Sequence, residues 1–245
     1  MRLTATLKVI FMDIMANEKR YMDIIDKHMK NGVRFYTSHG IVIDENVKIG
    51  KGSLIMPGTI LQGETTIGEN CVIGPNSLMK DCTVGDGVTF NSSQANEAVI
   101  KSGASIGPFS QLRPNTTIGE SVKIGDFVEV KNSNIGQGTA IAHLTYIGDS
   151  DVGAHVNFGC GVVTVNYDGQ SKNRTTIEDY AFIGCNTNLI APVTVGQGGY
   201  TAAGSTITQD VPKDALAIAR ARQINKPNWA KEKLSGYIKK HSKQE

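Results

Sequence analysis

An aliphatic residue returns at every sixth position over most of this 245-residue chain. Ile43, Ile49, Ile55, Leu61, Ile67, Ile73 and Met79 keep one phase, and Ile106, Leu112, Ile118, Ile124 and Val130 keep another. Ile135, Ile141 and Ile147 follow, and Ile177, Ile183, Leu189, Val195, Thr201 and Ile207 close the array. Such a period fits neither an amphipathic helix nor a simple alternating strand. It fits a short strand, a corner and another short strand, with the aliphatic residue pointing inward. Glycine often comes next, as in Ile49-Gly50, Ile67-Gly68 and Ile183-Gly184. The expectation is that the corner needs its permissive backbone there. Small or β-branched residues two places before the next aliphatic should fill the corner. Three hexads make one triangular coil, and a fixed period of this kind means a solenoid.

Composition agrees with a narrow, repetitive core. Aromatics are 6% of the chain, whereas glycine accounts for 27 residues. Lys+Arg 25 against Asp+Glu 23 gives a formal charge of +2, so no overall field draws the chain to nucleic acid or to an anionic membrane. No run of eighteen apolar residues occurs, so no membrane span is expected. The N-terminus lacks a secretory pattern, because Lys8 and Asp13 interrupt its only apolar stretch. Cys71, Cys82, Cys160 and Cys185 form no Cys-x-x-Cys pair, which points to free thiols and a cytoplasmic location.

Two segments escape the repeat at the ends, and one interrupts it. Residues 5–32 read as a helix with Leu7, Ile10, Phe11, Ile14, Met15, Met22, Ile25 and Met29 on one stripe, stopped by Asn31-Gly32. Residues 1–34 thus form a helical arm, 35–222 the β-helix and 223–245 a helical tail. In that tail Trp229, Leu234 and Ile238 are expected to dock outside the coils. The two helical ends would cap the solenoid. His28 and His241 are expected at the surface. Between residues 164 and 176 the period fails, and a polar loop ejected from a rigid solenoid is usually functional.

Arg113 and Lys131 stand eighteen residues apart, each just after its inward aliphatic. One coil of separation stacks them roughly 4.8 Å apart. Two stacked cations repel unless an anion bridges them, and a phosphate would do so. Cys185 and Ala203 are also eighteen apart, and stacked small residues leave a groove for a long thin ligand. His143 sits inside the repeat, in a strand where a lone histidine is most often structural.

The hexads resemble the hexapeptide-repeat acyltransferases, which implies an all-β, left-handed parallel β-helix and a homotrimer with sites between subunits. An ordered set of segments carries a narrower likeness. They are Ile106-Gly-Pro-Phe-Ser-Gln-Leu-Arg-Pro114, Glu129-Val-Lys131, His143-Leu-Thr-Tyr-Ile-Gly-Asp149, Val156-Asn-Phe-Gly159, Asn166-Tyr-Asp-Gly169 and Ile190-Ala-Pro-Val-Thr-Val-Gly196. Over roughly residues 35–230 the chain resembles the C-terminal acetyltransferase half of the bifunctional N-acetylglucosamine-1-phosphate uridyltransferase/glucosamine-1-phosphate acetyltransferases. The resemblance implies acetyl transfer from acetyl-CoA to glucosamine 1-phosphate, without a metal, on the way to UDP-N-acetylglucosamine and cell-wall precursors. It makes His143 the general base. It gives Arg113, Lys131, Tyr146, Asn157 and Lys172 to the sugar phosphate, and Cys160, Asn166, Tyr167, Cys185, Ala203 and Arg220 to acetyl-CoA. Cys160 and Cys185 depart from the Ala and Ser usual there, but both stay small. Glu129, two residues before Lys131, is the expected carboxylate to orient the imidazole. The uridylyltransferase half has no counterpart in residues 1–40, so a separate uridylyltransferase protein is the expected partner. Another amino-sugar acceptor and a non-catalytic trimeric scaffold remain as alternatives.

Overall fold

The computed structural model describes the backbone of residues 5–241 and the side chains of residues 17–241. Helix α1, Ala5–Lys30, leads into thirty short strands, and helix α2, Trp229–His241, ends the description. The strands form three sheets of eleven, ten and nine members, every pair parallel. The first runs from Arg34–Phe35 to Leu216–Ala217, the second from Val42–Ile43 to Thr206–Ile207, and the third from Lys48–Ile49 to Val193–Val195. Each strand pairs with the third strand along in sequence, save that Tyr200–Thr201 pairs with Leu216–Ala217, the second along, so the chain visits the sheets in rotation. This is the triangular solenoid that the hexads require.

The inward positions are the aliphatic repeat: Ile55, Leu61, Ile73, Leu112, Ile118, Ile141, Ile147, Ile183 and Leu189 are all buried. Register explains the changes of phase. Ile55 pairs with Ile73 eighteen residues on, Ile73 with Phe90 after seventeen, and Phe90 with Ile106 after sixteen. Phe90 is fully buried at this shortened stretch. The corner residues behave as their size suggests. Ser53, Thr59, Thr65, Cys71, Ser77 and Cys82 are buried two places before the next aliphatic. The Ser53 hydroxyl donates to Gly68 O and accepts from Cys71 N in the next coil. The small polar side chains thus tie successive coils together.

Gly74 and Gly107, after Ile73 and Ile106, adopt the positive φ expected (+104 and +97), but most glycines after an aliphatic serve a different purpose. Gly50, Gly68, Gly136 and Gly159 do not adopt positive φ. A Cβ on Gly50 would instead lie 2.5 Å from Gly68 C, against the backbone of the next coil. The left-handed turn falls two residues later, on Gly52 (φ +76) or on Asn70 (φ 55), where asparagine tolerates that region.

The ends also differ from expectation. α1 stops at Lys30, and the side chains of Leu7, Ile10, Phe11, Ile14 and Met15 lie outside those described. Ile25 is buried against the first coil, but Met22 and Met29 are exposed, so the docked stripe is narrow. His28 is buried rather than on the surface, and burial, with Lys27 nearby, pushes its pKa down. His241 is exposed. The tail helix does not dock on its own coils: α2 buries no residue, and Trp229, Leu234 and Ile238 face solvent. The last coil therefore stays open, with a cleft of about 260 Å³ beside Ile207, Val211 and Ile218. Among the described residues no helix is long and apolar enough to cross a membrane.

Candidate active site

One column of side chains runs along the edge of the first sheet. Ile124 pairs with Ile141, Ile141 with Phe158, Phe158 with Ile183, and Ile183 with Thr201. Two residues beyond each lie Asp126, His143, Cys160, Cys185 and Ala203, in that order. His143 and three expected cofactor positions thus share one ladder. Cys160 is half-buried, while Cys185 and Ala203 are exposed. The glycine before Cys160 is needed here, because a Cβ on Gly159 would sit 2.8 Å from Cys185 Sγ. Arg220 is exposed beside Gly204, one residue past the column.

His143 ends the strand Ala140–His143 with its side chain 60% exposed. Its partner is Asp126, not Glu129. Asp126 and His143 are register neighbours, and Nδ1 stands 2.8 Å from Asp126 Oδ1. The hydrogen bond from His143 is the chief cause holding the Asp126 carboxyl below its ordinary range. With Nδ1 engaged, Nε2 is the nitrogen left for a substrate. Glu129 belongs to the second sheet, where it pairs with Tyr146 in register and its Oε1 accepts from Arg113 Nη1 at 2.8 Å. Glu129 therefore neutralises Arg113 and is not the imidazole's orienting group. Asp126 was readable in principle, because it lies seventeen residues before His143 in the same position of its hexad.

Arg113 and Lys131 do occupy successive coils, since Leu112 pairs with Val130. The repulsion expected between them is relieved within the chain by Glu129. Lys131 has Lys172 beside it instead, and that neighbouring ammonium is the chief cause lowering the Lys131 pKa. Arg113, Lys131 and Lys172 line one cleft of about 330 Å³, together with Asn132 and Asp149. Three cations against the carboxylates of Glu129 and Asp149 leave a positive excess, suited to an anion. A larger cleft of about 470 Å³ lies on the third sheet between Asn134, Asp151, Glu178 and Asp179, and its acidic lining suits no anion. Tyr146 folds over Gly148, the register partner of Lys131, where a Cβ would meet the phenol oxygen at 2.4 Å. Asn157 is exposed on the first sheet, paired with Ala140.

The interrupting loop is built, not slack. Asp168 Oδ1 accepts from Gln170 N and Ser171 N, and Oδ2 from Ser171 Oγ and Asn173 Nδ2. These bonds, led by Ser171 N–H, lower its pKa to about 2. Asn166 is buried at the loop's entry, and Tyr167 is exposed beside it. At the exit Arg174 clasps Asp151 with Nε at 2.8 Å and Nη2 at 2.7 Å, and reaches Asn132 O with Nη1. The sequence reading missed Asp149, Asp151 and Arg174.

The structure thus brings His143, Cys160, Cys185 and Ala203 into one column. It brings Arg113, Lys131 and Lys172 into one cleft. Within a single chain these two groups lie at different corners, joined by the segment carrying Tyr146.

Comparison with known proteins agrees with this reading of the repeat. The family described as "Bacterial transferase hexapeptide (six repeats)" matches residues 46–81 and 97–132. The "Bifunctional protein GlmU" of Geobacillus sp. (strain WCH70) is 55% identical over 219 residues, covering 89% of this chain and 47% of that protein. Its namesake in Clostridium kluyveri (strain ATCC 8527) is 54% identical over 217 residues, covering 88% and 48%. That of Brevibacillus brevis is 52% identical over 207 residues, covering 84% and 45%. The chain spans about half the length of these relatives. By its coils and its repeat the chain is similar to the bacterial hexapeptide transferases over residues 46–81 and 97–132, and it matches about half the length of each GlmU relative.

Proposed function

We propose that the chain transfers an acetyl group from acetyl-CoA to the amine of glucosamine 1-phosphate, with His143 as general base. One observation carries this reading. An imidazole held by a carboxylate stands in the same column as three small residues, and a cluster of three cations lies one corner away. His143 Nε2 takes the proton as the amine nitrogen attacks the thioester carbonyl. The new C–N bond forms, the C–S bond breaks, and the proton passes to the departing thiolate or to solvent. A neutral imidazole suits this task near pH 7.

The pantetheine arm would follow the ladder Cys160, Cys185 and Ala203, where small side chains leave a shallow track. Asn166, Tyr167 and Arg220 would hold the rest of the cofactor. Arg113, Lys131 and Lys172 would hold the phosphate, with Tyr146 and Asn157 on the sugar. The division of these groups between two corners favours a homotrimer, in which one subunit's His143 edge meets another's cation cleft. Exposed apolar side chains beside His143 support such packing. Phe109 stacks on Phe127 at 5.6 Å, and Leu144 follows one coil on, all exposed.

The cation cleft also separates this reading from transfer to an uncharged amino sugar. Release of CoA thiol should be measured with glucosamine 1-phosphate and with glucosamine as acceptors. Glucosamine 1-phosphate should give a kcat/KM at least about 10²-fold higher, since the phosphate engages more than one charge-assisted contact. Equal use of both acceptors refutes phosphate recognition, and thiol release with neither favours a scaffold.

A further inference from the structure

Asp149 is a carboxylate buried to 4% exposure that the transfer mechanism above does not use. A buried charge is costly unless its oxygens are satisfied. Both are. Oδ1 accepts from Asn132 Nδ2, and Oδ2 accepts from Asn166 Nδ2. Its main chain makes two further bonds: Asp149 N donates to Lys131 O at 3.0 Å, and Asp149 O accepts from Thr175 N at 3.1 Å.

These four bonds reach two separate pieces of chain. Asn132 directly follows Lys131, while Asn166 and Thr175 bracket the loop that carries Lys172. Asp149 is thus the joint between the two segments bearing the clustered lysines. The lysines themselves stand side by side, and like charges at that range push apart. Among the described residues no carboxylate makes an ion pair with either ammonium. The carboxylate lies close enough to act on both charges, yet its oxygens are taken by amides. Burial alone would raise the Asp149 pKa, but the two amide bonds and the two lysine charges outweigh it and hold the carboxyl below its ordinary range.

We propose that Asp149 is a positioning residue for the anion site: pinned between Asn132 and Asn166, it holds Lys131 and Lys172 side by side for a sugar phosphate without pairing with either. The proposal deepens the function put forward above and rests on the cation cleft being the phosphate site.

Asp149→Asn tests it. Asp149 has φ 49, a conformation asparagine tolerates, so the backbone need not change. The sign of the effect is informative. Deleting a negative charge beside an anion site would tighten binding if bulk electrostatics were the whole story. Loss of positioning weakens it instead. Calorimetric titration with glucose 1-phosphate reads this directly, because that probe carries the phosphate but no amine to acetylate. The affinity of Asp149→Asn should fall at least about tenfold, as for one lost charge-assisted contact. Acetyl-CoA affinity should change far less.

Unchanged or tighter glucose 1-phosphate binding in the folded variant overturns the proposal. So does an equal loss for acetyl-CoA, which would mark Asp149 as general scaffolding of the loop. So does a wild-type protein that binds no glucose 1-phosphate. Should Asp149→Asn not fold, Asn132→Gly decides: it removes one of the two amides at a site of positive φ (46), and it must weaken glucose 1-phosphate in the same direction. Wild-type protein that binds glucose 1-phosphate but does not acetylate glucosamine 1-phosphate refutes the proposed function and leaves the role of Asp149 standing.

Discussion

Replacing Asp126 by asparagine keeps the shape of the side chain and removes its charge. The structure sets the size of the effect. Asp126 Oδ1 is 2.8 Å from His143 Nδ1, so the imidazole that takes up a proton in the reaction does so against a carboxylate. A positioned general base contributes about 10²–10⁴-fold in rate. A charge-assisted hydrogen bond is roughly twice as strong as a neutral one. Asparagine should therefore forfeit about half the decades that the whole base supplies, and kcat should fall by about 10–10²-fold. The unfolding midpoint should barely move, because the pair is 60% and 39% exposed and exposed pairs stabilise little. The assay is steady-state CoA release with both substrates saturating, beside a thermal melt. A kcat within twofold of wild type refutes the reasoning and makes Asp126 a surface neighbour of the base. A large drop in melting temperature refutes it differently, by showing a structural role.

Gly159→Ala should disturb the cofactor column. The added methyl would fall 2.5 Å from Cys185 N and 2.8 Å from its Cα, so that coil must shift, and acetyl-CoA KM should rise more than acceptor KM. Phe90→Ala, at a fully buried site where two coils shorten, should cost about 3–5 kcal/mol in chemical denaturation, and a loss under about 1 kcal/mol contradicts the packing account. Asp168, with its pKa lowered from 3.8 to about 2, steadies the loop above the unfolded value and loses that effect as pH falls through about 2. Peptic cleavage of the loop should therefore be slow near pH 4 and accelerate toward pH 2, whereas Asp168→Asn should let trypsin cut after Lys172 faster at neutral pH.

The hexad period made the solenoid legible, because inward aliphatics such as Ile55, Ile73 and Leu189 obey a geometric repeat that does not depend on distant residues. The corner-filling Ser53, Thr59 and Cys71 followed the same rule. Glycine was harder to read. Gly50 is needed for what lies 2.5 Å away in the next coil, a fact about packing that sequence spacing alone does not show. The site residues were legible as far as they followed the eighteen-residue coil. Arg113 and Lys131 did so, and their stacking was expected correctly. Asp126 escaped because the coil between it and His143 is one residue short, so a strict count of eighteen passes it by. Asp149 escaped for the same reason, since Asn132 and Asn166 each lie seventeen residues from it, whereas Arg174 escaped because its partner Asp151 lies across the interrupting loop, twenty-three residues back. α2 carried an amphipathic pattern that the chain alone does not bury, since an apolar stripe signals a partner without saying which surface supplies it.

The account turns on His143 as the base, and one comparison tests it directly. His143→Ala and His155→Ala should be assayed side by side at saturating acetyl-CoA and glucosamine 1-phosphate. His155 stacks on Tyr180 at 5.5 Å at another corner of the coil and serves as the control. His143→Ala should lose about 10²–10⁴-fold in kcat while acetyl-CoA binding changes little, and His155→Ala should stay near the wild-type rate. A His143→Ala enzyme that turns over at the wild-type rate would contradict the account, and would leave the Asp126–His143 pair as an ornament of the coil surface.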